Sequence, residues 1–219
     1  MTIAIATMFN QGYQDLADIT HYQNKVPYAE LHGYPVFAMT EDFATDININ
    51  FNKMSFILDI FKKRPDVEWV YWLDCDAMIT NWTRKLEEFV SDEHHFVVCL
   101  DRYNINAGSF FIRNSDQGRA YFQMIWDRRE EFNKFEWAEQ QCMIDTIEQY
   151  ADIVKLCPQR TFNSFDYDFY HRDHGNTHDW DLFGENGNWQ PGDFVIHWPG
   201  VKYETRLELA HEKLTQVVK

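Results

Sequence analysis

The chain opens on an apolar run, Thr2–Thr7, whose pattern predicts a buried strand. Gln11–His32 follows, with Leu16, Ile19, Gln23 and Val26 down one side, and reads as a helix. Gly33 and Pro35 stop it and lead into a second strand, Pro35–Met39. Asn52 is an N-cap residue ahead of Met54, Ile57, Leu58 and Phe61, spaced i, i+3, i+4, i+7, and Pro65 ends that helix. Val67–Leu73, rich in β-branched and aromatic residues, predicts a third strand. Phe96–Leu100 and Ser109–Ile112 predict two more. Helices are expected over Asp116–Phe132 and Glu136–Tyr150, strands over Ile153–Cys157 and Phe194–His197, and a closing helix through Leu207, Ala210, Leu214 and Val217. Between Phe162 and Gly192 lies a long stretch of Asp, Asn, Gly, His and aromatic residues; a loop of that length usually has a task, and its aromatics argue against simple disorder.

Strands alternating with helices through the first half predict an α/β fold with a mostly parallel central sheet flanked by helices. Ligands in such sheets bind outside the carboxyl ends of the strands. A length of 219 residues without repeat, linker or low-complexity tract predicts one domain, 1–219. Composition adds three constraints. Eight Trp, 11 Tyr and 18 Phe supply ample core. A formal net charge of −15 repels nucleic acid, so no nucleic-acid partner is expected, and an anionic substrate would need a local cation such as a bound metal. Cys75, Cys99, Cys142 and Cys157 form no C-x-x-C pair, and Cys75, Cys99 and Cys157, in strand-like apolar runs, read as buried free thiols of a reducing compartment. The first residues lack a basic leader and no run approaches about 18 apolar residues, so neither signal peptide nor transmembrane segment is expected, which predicts a cytoplasmic protein.

The chemistry concentrates where the third strand ends. Val70-Tyr71-Trp72-Leu73 runs into Asp74-Cys75-Asp76, and two carboxylates at a spacing of two converge on one hard cation once the strand bends. Mg²⁺ or Mn²⁺ held there would bridge to a diphosphate and neutralise charge on a leaving nucleotide. The pair alone is a weak signal, because Asp166-Tyr167-Asp168 and Asp179-Trp180-Asp181 match it too; the bland alternative is a solvated strand terminus.

The surroundings are more specific. Asn52-Lys53-Met54, and Pro65-Asp66 through Asp74-Cys75-Asp76-Ala77-Met78, resemble glycosyltransferase family 34, whose members include plant xylosyl- and galactosyltransferases and fungal mannosyltransferase subunits. Tyr28-Ala29-Glu30-Leu31-His32-Gly33-Tyr34 resembles the family's Y-A-x-x-H-G-Y, and Asn106 through Asn114 its N-x-G-S-F-x-x-R-N. Trp137-Ala138-Glu139-Gln140-Gln141 is similar to W-x-D-D-Q, and His197, Gly200 and Lys202 to the closing H-F-x-G-x-K. The likeness spans most of Tyr28–Lys202.

That resemblance implies a GT-A glycosyltransferase fold with a nucleotide-sugar half to about residue 105 and an acceptor half beyond. It implies a divalent ion, Mn²⁺ or Mg²⁺, and retention of configuration on transfer from a nucleotide-diphosphate sugar, a UDP-sugar or GDP-mannose, to a glycan acceptor. It assigns Asp74, Asp76 and His197 to the metal; read without it, His197 is a packed core histidine. Lys53, Asn106, Gly108, Gly200 and Lys202 take donor-binding positions, against ordinary readings as surface lysines and turn glycines. Gln141 falls beneath the anomeric carbon, where an amide stabilises positive charge on the sugar without acting as a base. Trp137, Gln140, Gln141 and Ile144 would share one helix face. Glu139 and Gln140, in the acceptor- or donor-hydroxyl positions, depart from the family's Asp-Asp and place the sugar identity in question. The cytoplasmic expectation fits an enzyme of bacterial or viral origin. His171, His174 and His178 among Asp173, Asp179 and Asp181 raise a second metal site, with an acceptor or lid loop carrying Tyr167, Phe169, Tyr170, Trp180 and Trp189 as the better reading. A nucleotide-sugar hydrolase and a non-catalytic glycan-binding module remain as alternatives.

Overall fold

The computed structural model describes residues 1–169 and 180–219. Nine strands are named among them: β1 (Ile3–Met8), β2 (Val36–Met39), β3 (Trp69–Leu73), β4 (Ala77–Ile79), β5 (Phe96–Leu100), β6 (Ile105–Arg113), β7 (Val154–Cys157), β8 (Ser164–Phe165) and β9 (Val195–His197). The main sheet has the order β2-β1-β3-β6-β5-β7. Its β2, β1 and β3 run parallel, β6 runs antiparallel to both neighbours, and β7 is parallel to β5. A second sheet, β4-β9-β8, lies beyond the acidic turn.

Alternation along β3 shows how the layers form. Val70 and Trp72 join Ala4, Ala6, Phe110 and Ile112 under helices α3 (Asn52–Lys63), α4 (Asp116–Asp127) and α6 (Ala138–Thr146). Trp69, Tyr71 and Leu73 face the opposite way, onto Tyr28 and Ala29 of α2 (Val26–His32) and onto Ala77, Ile79 and Val195 of the small sheet. Both faces being covered explains why β3 is wholly buried and apolar and why β6 is buried along all but its last residue.

The expected first helix is present but is not uniform. It begins as α1 (Gln14–Ala17), widens into π turns over Asp18–Lys25, and returns to α geometry at α2, where Pro27 sits in the first turn and Gly33 ends it at φ 77°. Asn10, immediately after β1, accepts from the Gly12 N–H and opens this segment. The expected Asp116–Phe132 helix breaks at Arg128 into α4 and α5 (Arg129–Phe132). The expected Glu136–Tyr150 helix starts later, at Ala138, and finishes in a 3-10 turn, Ile147–Tyr150. The closing helix α7 spans Tyr203–Leu214. β4 and β8 escape a reading of periodicity because three and two residues carry no period.

Part of the long Phe162–Gly192 stretch is structured: the Phe165 N–H donates to the Gly187 carbonyl, the Trp189 N–H donates to the Phe165 carbonyl, and Asp181 accepts from the Gln159, Phe183 and Glu185 N–H groups. Tyr170, His171, Asp173, His174, His178 and Asp179 lie outside the described residues, and with them the second-metal reading. No helix of the described residues is long and apolar enough to cross a membrane.

Candidate active site

Three strand ends meet at one place. Asp74 follows β3, and its N–H donates to the Gly108 carbonyl of β6 at 2.8 Å. Asp76 precedes β4, which pairs antiparallel with β9 so that Ala77 lies opposite His197. The Trp198 N–H closes the arrangement on the Asp76 carbonyl. Two carboxylates 21 and 23 residues past Lys53 are thus brought beside a histidine more than 120 residues downstream. One ligand atom each of Asp74, Asp76 and His197 lie within 4.8 Å of one another.

The donor set suits a hard divalent cation: two carboxylate oxygens and one imidazole nitrogen, with the remaining positions left for ligand oxygens. His197 Nδ1 lies 2.9 Å from Asn163 Oδ1 and Nε2 lies 3.3 Å from Asp76 Oδ1, so Asn163 holds the ring with its second nitrogen turned toward the acidic turn. Gly108 is required by this ring. A Cβ at that position would stand 2.3 Å from His197 Cε1 and 2.9 Å from Nε2.

The charges are arranged unequally. Burial and the neighbouring Asp76 raise the Asp74 carboxyl above the ordinary carboxylate value, against the pull of Lys53. Asp76 is held down to about 2; burial opposes its charge, but the His197 imidazole and the Arg206 guanidinium overcome that. Arg206 of α7 reaches Asp76 Oδ2 at 3.2 Å and is steadied by the Trp198 carbonyl. Lys53 of α3 is buried, with every ammonium proton directed to a partner: Glu139 Oε1 at 2.8 Å, the Ala107 carbonyl at 3.0 Å and Asp74 Oδ1 at 3.3 Å. Burial works against its charge, yet Asp74 and Glu139 hold its pKa above the ordinary lysine value. Trp72 Nε1 donates to Asp74 Oδ1 at 2.6 Å, fixing that carboxylate from the same face of β3.

These groups border a cleft of about 530 Å³ running across the strand ends. Phe9, Asn10 and Tyr13 line it beyond β1, Asp74 and Asp76 at β3, and Asp101 and Asn106 between β5 and β6. Asn106 Oδ1 accepts from the Gly108 N–H, and Gly200, at φ 72°, supplies open backbone on the His197 side. α6 adds Glu139 and Gln140. Gln140 Oε1 accepts from the Ala107 N–H at 2.9 Å. Glu139 Oε2 is buried with no hydrogen-bond partner among the described residues.

Two expectations are corrected here. Gln141 does not lie in the cleft: its Nε2 donates to Asp145 Oδ1 at 2.7 Å along the outer side of α6. Successive helical residues turn by about 100°, so with Glu139 and Gln140 both inward their neighbour must point away, and the single face proposed for Trp137, Gln140, Gln141 and Ile144 does not form. Lys202 is exposed at the N-terminus of α7 and does not line the cleft. Arg206, one helical turn later, supplies the cation instead. Sequence reasoning missed Arg206, Asn163 and Asp101; Arg206 stands four residues past Lys202, a helical spacing that was the available signal. Lys53, though at the cleft, is committed to protein partners.

Fold and site together define a GT-A-type glycosyltransferase scaffold. Among solved structures, the glycosyltransferase involved in glycosylation of the major capsid of PBCV-1 is similar over 97% of this chain and 100% of its own, with TM-score 0.76 and 17% identity. The galactosyltransferase LgtC in complex with donor and acceptor sugar analogs is similar over 99% and 96%, with TM-score 0.58 and 13% identity. These likenesses concern the fold.

The chain belongs to the galactosyl transferase GMA12/MNN10 family, glycosyltransferase family 34, which matches it over residues 3–96 and 89–208. It is 25% identical to an alpha-1,2-galactosyltransferase of Schizosaccharomyces pombe over 83% of this chain and 55% of that protein. It is 25% identical to the probable alpha-1,6-mannosyltransferase MNN10 of Saccharomyces cerevisiae over 65% and 46%. The chain therefore spans about half the length of these relatives.

Proposed function

We propose that the chain is a metal-dependent, retaining hexosyltransferase that uses a nucleotide-diphosphate sugar, UDP-galactose foremost and GDP-mannose next, and transfers to a glycan hydroxyl. The observation carrying this reading is the convergence of Asp74, Asp76 and His197 beside the unsatisfied Glu139 Oε2. Mn²⁺ or Mg²⁺ held by Asp74, Asp76 and Nε2 of His197 would neutralise charge developing on the departing diphosphate. The connection from β1 runs outward to β2 and the next returns past β1 to β3, so the crevice over β1 and β3 is the switch point where a nucleotide belongs. Phe9, Asn10 and Tyr13 then meet the nucleoside, and the sugar extends toward β6 and α6.

There Glu139 Oε2 accepts a sugar hydroxyl, while Lys53, 2.8 Å from Oε1, holds the carboxylate in place. Gln140, anchored through Oε1, directs its amide to the cleft. An amide cannot take up a proton, so its contribution is to orient and to stabilise positive charge at the sugar carbon. As the bond from that carbon to the diphosphate oxygen breaks, the acceptor oxygen bonds to the carbon on the same face. The acceptor's proton passes to the departing oxygen. Arg206 remains on Asp76 and offsets negative charge through the step.

The test is release of UDP or GDP from a donor panel, with and without Mn²⁺, in the parent and in Asp74→Asn and Asp76→Asn. Turnover that requires Mn²⁺, with a loss of at least about 100-fold in both variants at unchanged melting temperature, supports the reading. Equal turnover in variants and parent ends it, and donor consumption unaffected by every added glycan points to a hydrolase.

A further inference from the structure

Beyond the donor half of the cleft stand two largely exposed aromatic side chains. Tyr103, in the turn between β5 and β6, is 62% exposed, and Trp137, the residue before α6, is 49% exposed; both line the cleft. Their ring centroids are 6.2 Å apart with the planes inclined by 37°, too open for either to cover the other. Large aromatic faces left in water cost stability unless something covers them in use.

The pair is also built. The Asp101 carboxylate accepts from the Tyr103 and Asn104 N–H groups and fixes the turn that presents Tyr103. Arg102 Cζ lies 4.6 Å from the Tyr103 ring centroid and 5.5 Å from that of buried Tyr167, seating the first ring against the second through a cation. Trp137 is the cap residue three positions before Gln140, so it lines the same cleft at the N-terminal end of α6. The Gln141 N–H donates to the Trp137 carbonyl at 2.6 Å and holds that residue to the helix.

We propose that Tyr103 and Trp137 form an acceptor subsite: a platform for the apolar C–H face of a pyranose ring whose hydroxyl is glycosylated. This rests on the transferase reading above and deepens it. A pyranose presents several C–H bonds on one face, and their slight positive charge meets the negative face of an aromatic ring. The platform lies at the β5/β6 and α6 end of the cleft, with the metal ligands between it and Phe9 and Tyr13. A donor laid across the metal ligands therefore leaves this end for the second sugar. The opposing candidate, a nucleobase stacked on the same rings, requires the donor to lie in the reverse direction, with its sugar over β1, away from Glu139 and Gln140.

Saturation-transfer NMR on the whole chain, with methyl α-mannopyranoside, cellobiose and α-1,2-mannobiose as probes, tests the platform without turnover. At least one probe is expected to receive saturation at ring C–H protons. That affinity should fall about tenfold in Trp137→Ala and Tyr103→Ala and be retained in Tyr103→Phe, which keeps the face and removes the hydroxyl. With the best probe as acceptor, the alanine variants should raise its KM by a similar factor while the donor KM moves less than about threefold. Binding of none of the three, binding indifferent to both alanine variants, or a rise in donor KM instead would overturn the assignment. Failure of the transferase reading itself is separate: Asp74→Asn would then leave turnover unchanged while the probes still bound the rings.

Discussion

Gly108→Ala tests the metal centre without touching any of its ligands. The added methyl would lie 2.3 Å from His197 Cε1, whereas non-bonded carbons rest at about 3.5–4.0 Å, so the ring must retreat by roughly 1 Å. It has little room to do so: its Nδ1 is bonded to Asn163, the Phe165 ring meets it edge-on with centroids 5.4 Å apart, and the side chain is 2% exposed. Forcing a methyl into such a place costs about 1–3 kcal/mol of stability. The larger effect is on the site, because a ligand displaced by about 1 Å no longer reaches a metal it binds at about 2 Å, and misplacement of that size costs about 100-fold in turnover. Isothermal titration with Mn²⁺, donor turnover and a thermal melt measure the three quantities. Gly118→Ala is the control: its Cβ would meet the Arg113 carbonyl at 2.2 Å, far along the chain from the acidic turn, and should lower the melting temperature while leaving Mn²⁺ affinity intact. Parental Mn²⁺ affinity and turnover in Gly108→Ala would refute the account of His197.

Other expectations follow from the same geometry. Gln140→Ala should reduce kcat by about 100-fold, whereas Gln141→Ala should stay within about twofold, since only the first faces the cleft; steady-state kinetics on both variants decides the phase of α6. Arg206→Met should weaken donor binding and raise the Asp76 carboxyl toward its ordinary range, so that Mn²⁺ binding is lost at a higher pH than in the parent when titrated downward. His21 is buried, with an unpartnered Nδ1, and burial and Lys25 depress its pKa from 6.5 to about 4. The unfolded chain therefore binds the extra proton first, and stability falls as pH drops from 6.5 to about 4, by up to about 3 kcal/mol. His21→Phe should flatten that portion of the urea-unfolding profile; an identical pH dependence in variant and parent would exclude the histidine as its source.

What could be read from the chain divides along physical lines. β1 and β3 were legible because strands buried on both faces are continuous apolar runs. Asp74 and Asp76 were legible because they interrupt such a run. The partnership of Asp76 with His197 was not, since it depends on β9 pairing with β4, a three-residue segment too short to show a period. The resemblance supplied His197, but carried Gln141 inward by position alone. Which of three consecutive polar residues enters the cleft depends on where the helix starts, and Trp137, at φ −104° and ψ 56°, sets that start outside helical geometry. Lys202 was misplaced for the same reason. Its own backbone, at φ −60° and ψ 144°, is extended, and the reach to Asp76 passes to a side chain one turn on.

The π-widened segment before α2 has an implication for how the acidic turn tolerates change. Thr20 donates to the Cys75 carbonyl, Lys25 to that of Ala77, and the Asn24 amide both gives to and takes from Ile79. Three side chains thus grip Cys75, Ala77 and Ile79, alternate residues of the turn and β4, by their main chain, regardless of which side chains those residues carry. Substitutions at Cys75 or Met78 can be absorbed so long as volume is kept. Loss of a single residue between Thr20 and Lys25 cannot, because every later grip would turn by about a quarter of a revolution and let go. Length, rather than letter, is what inheritance must guard in this stretch.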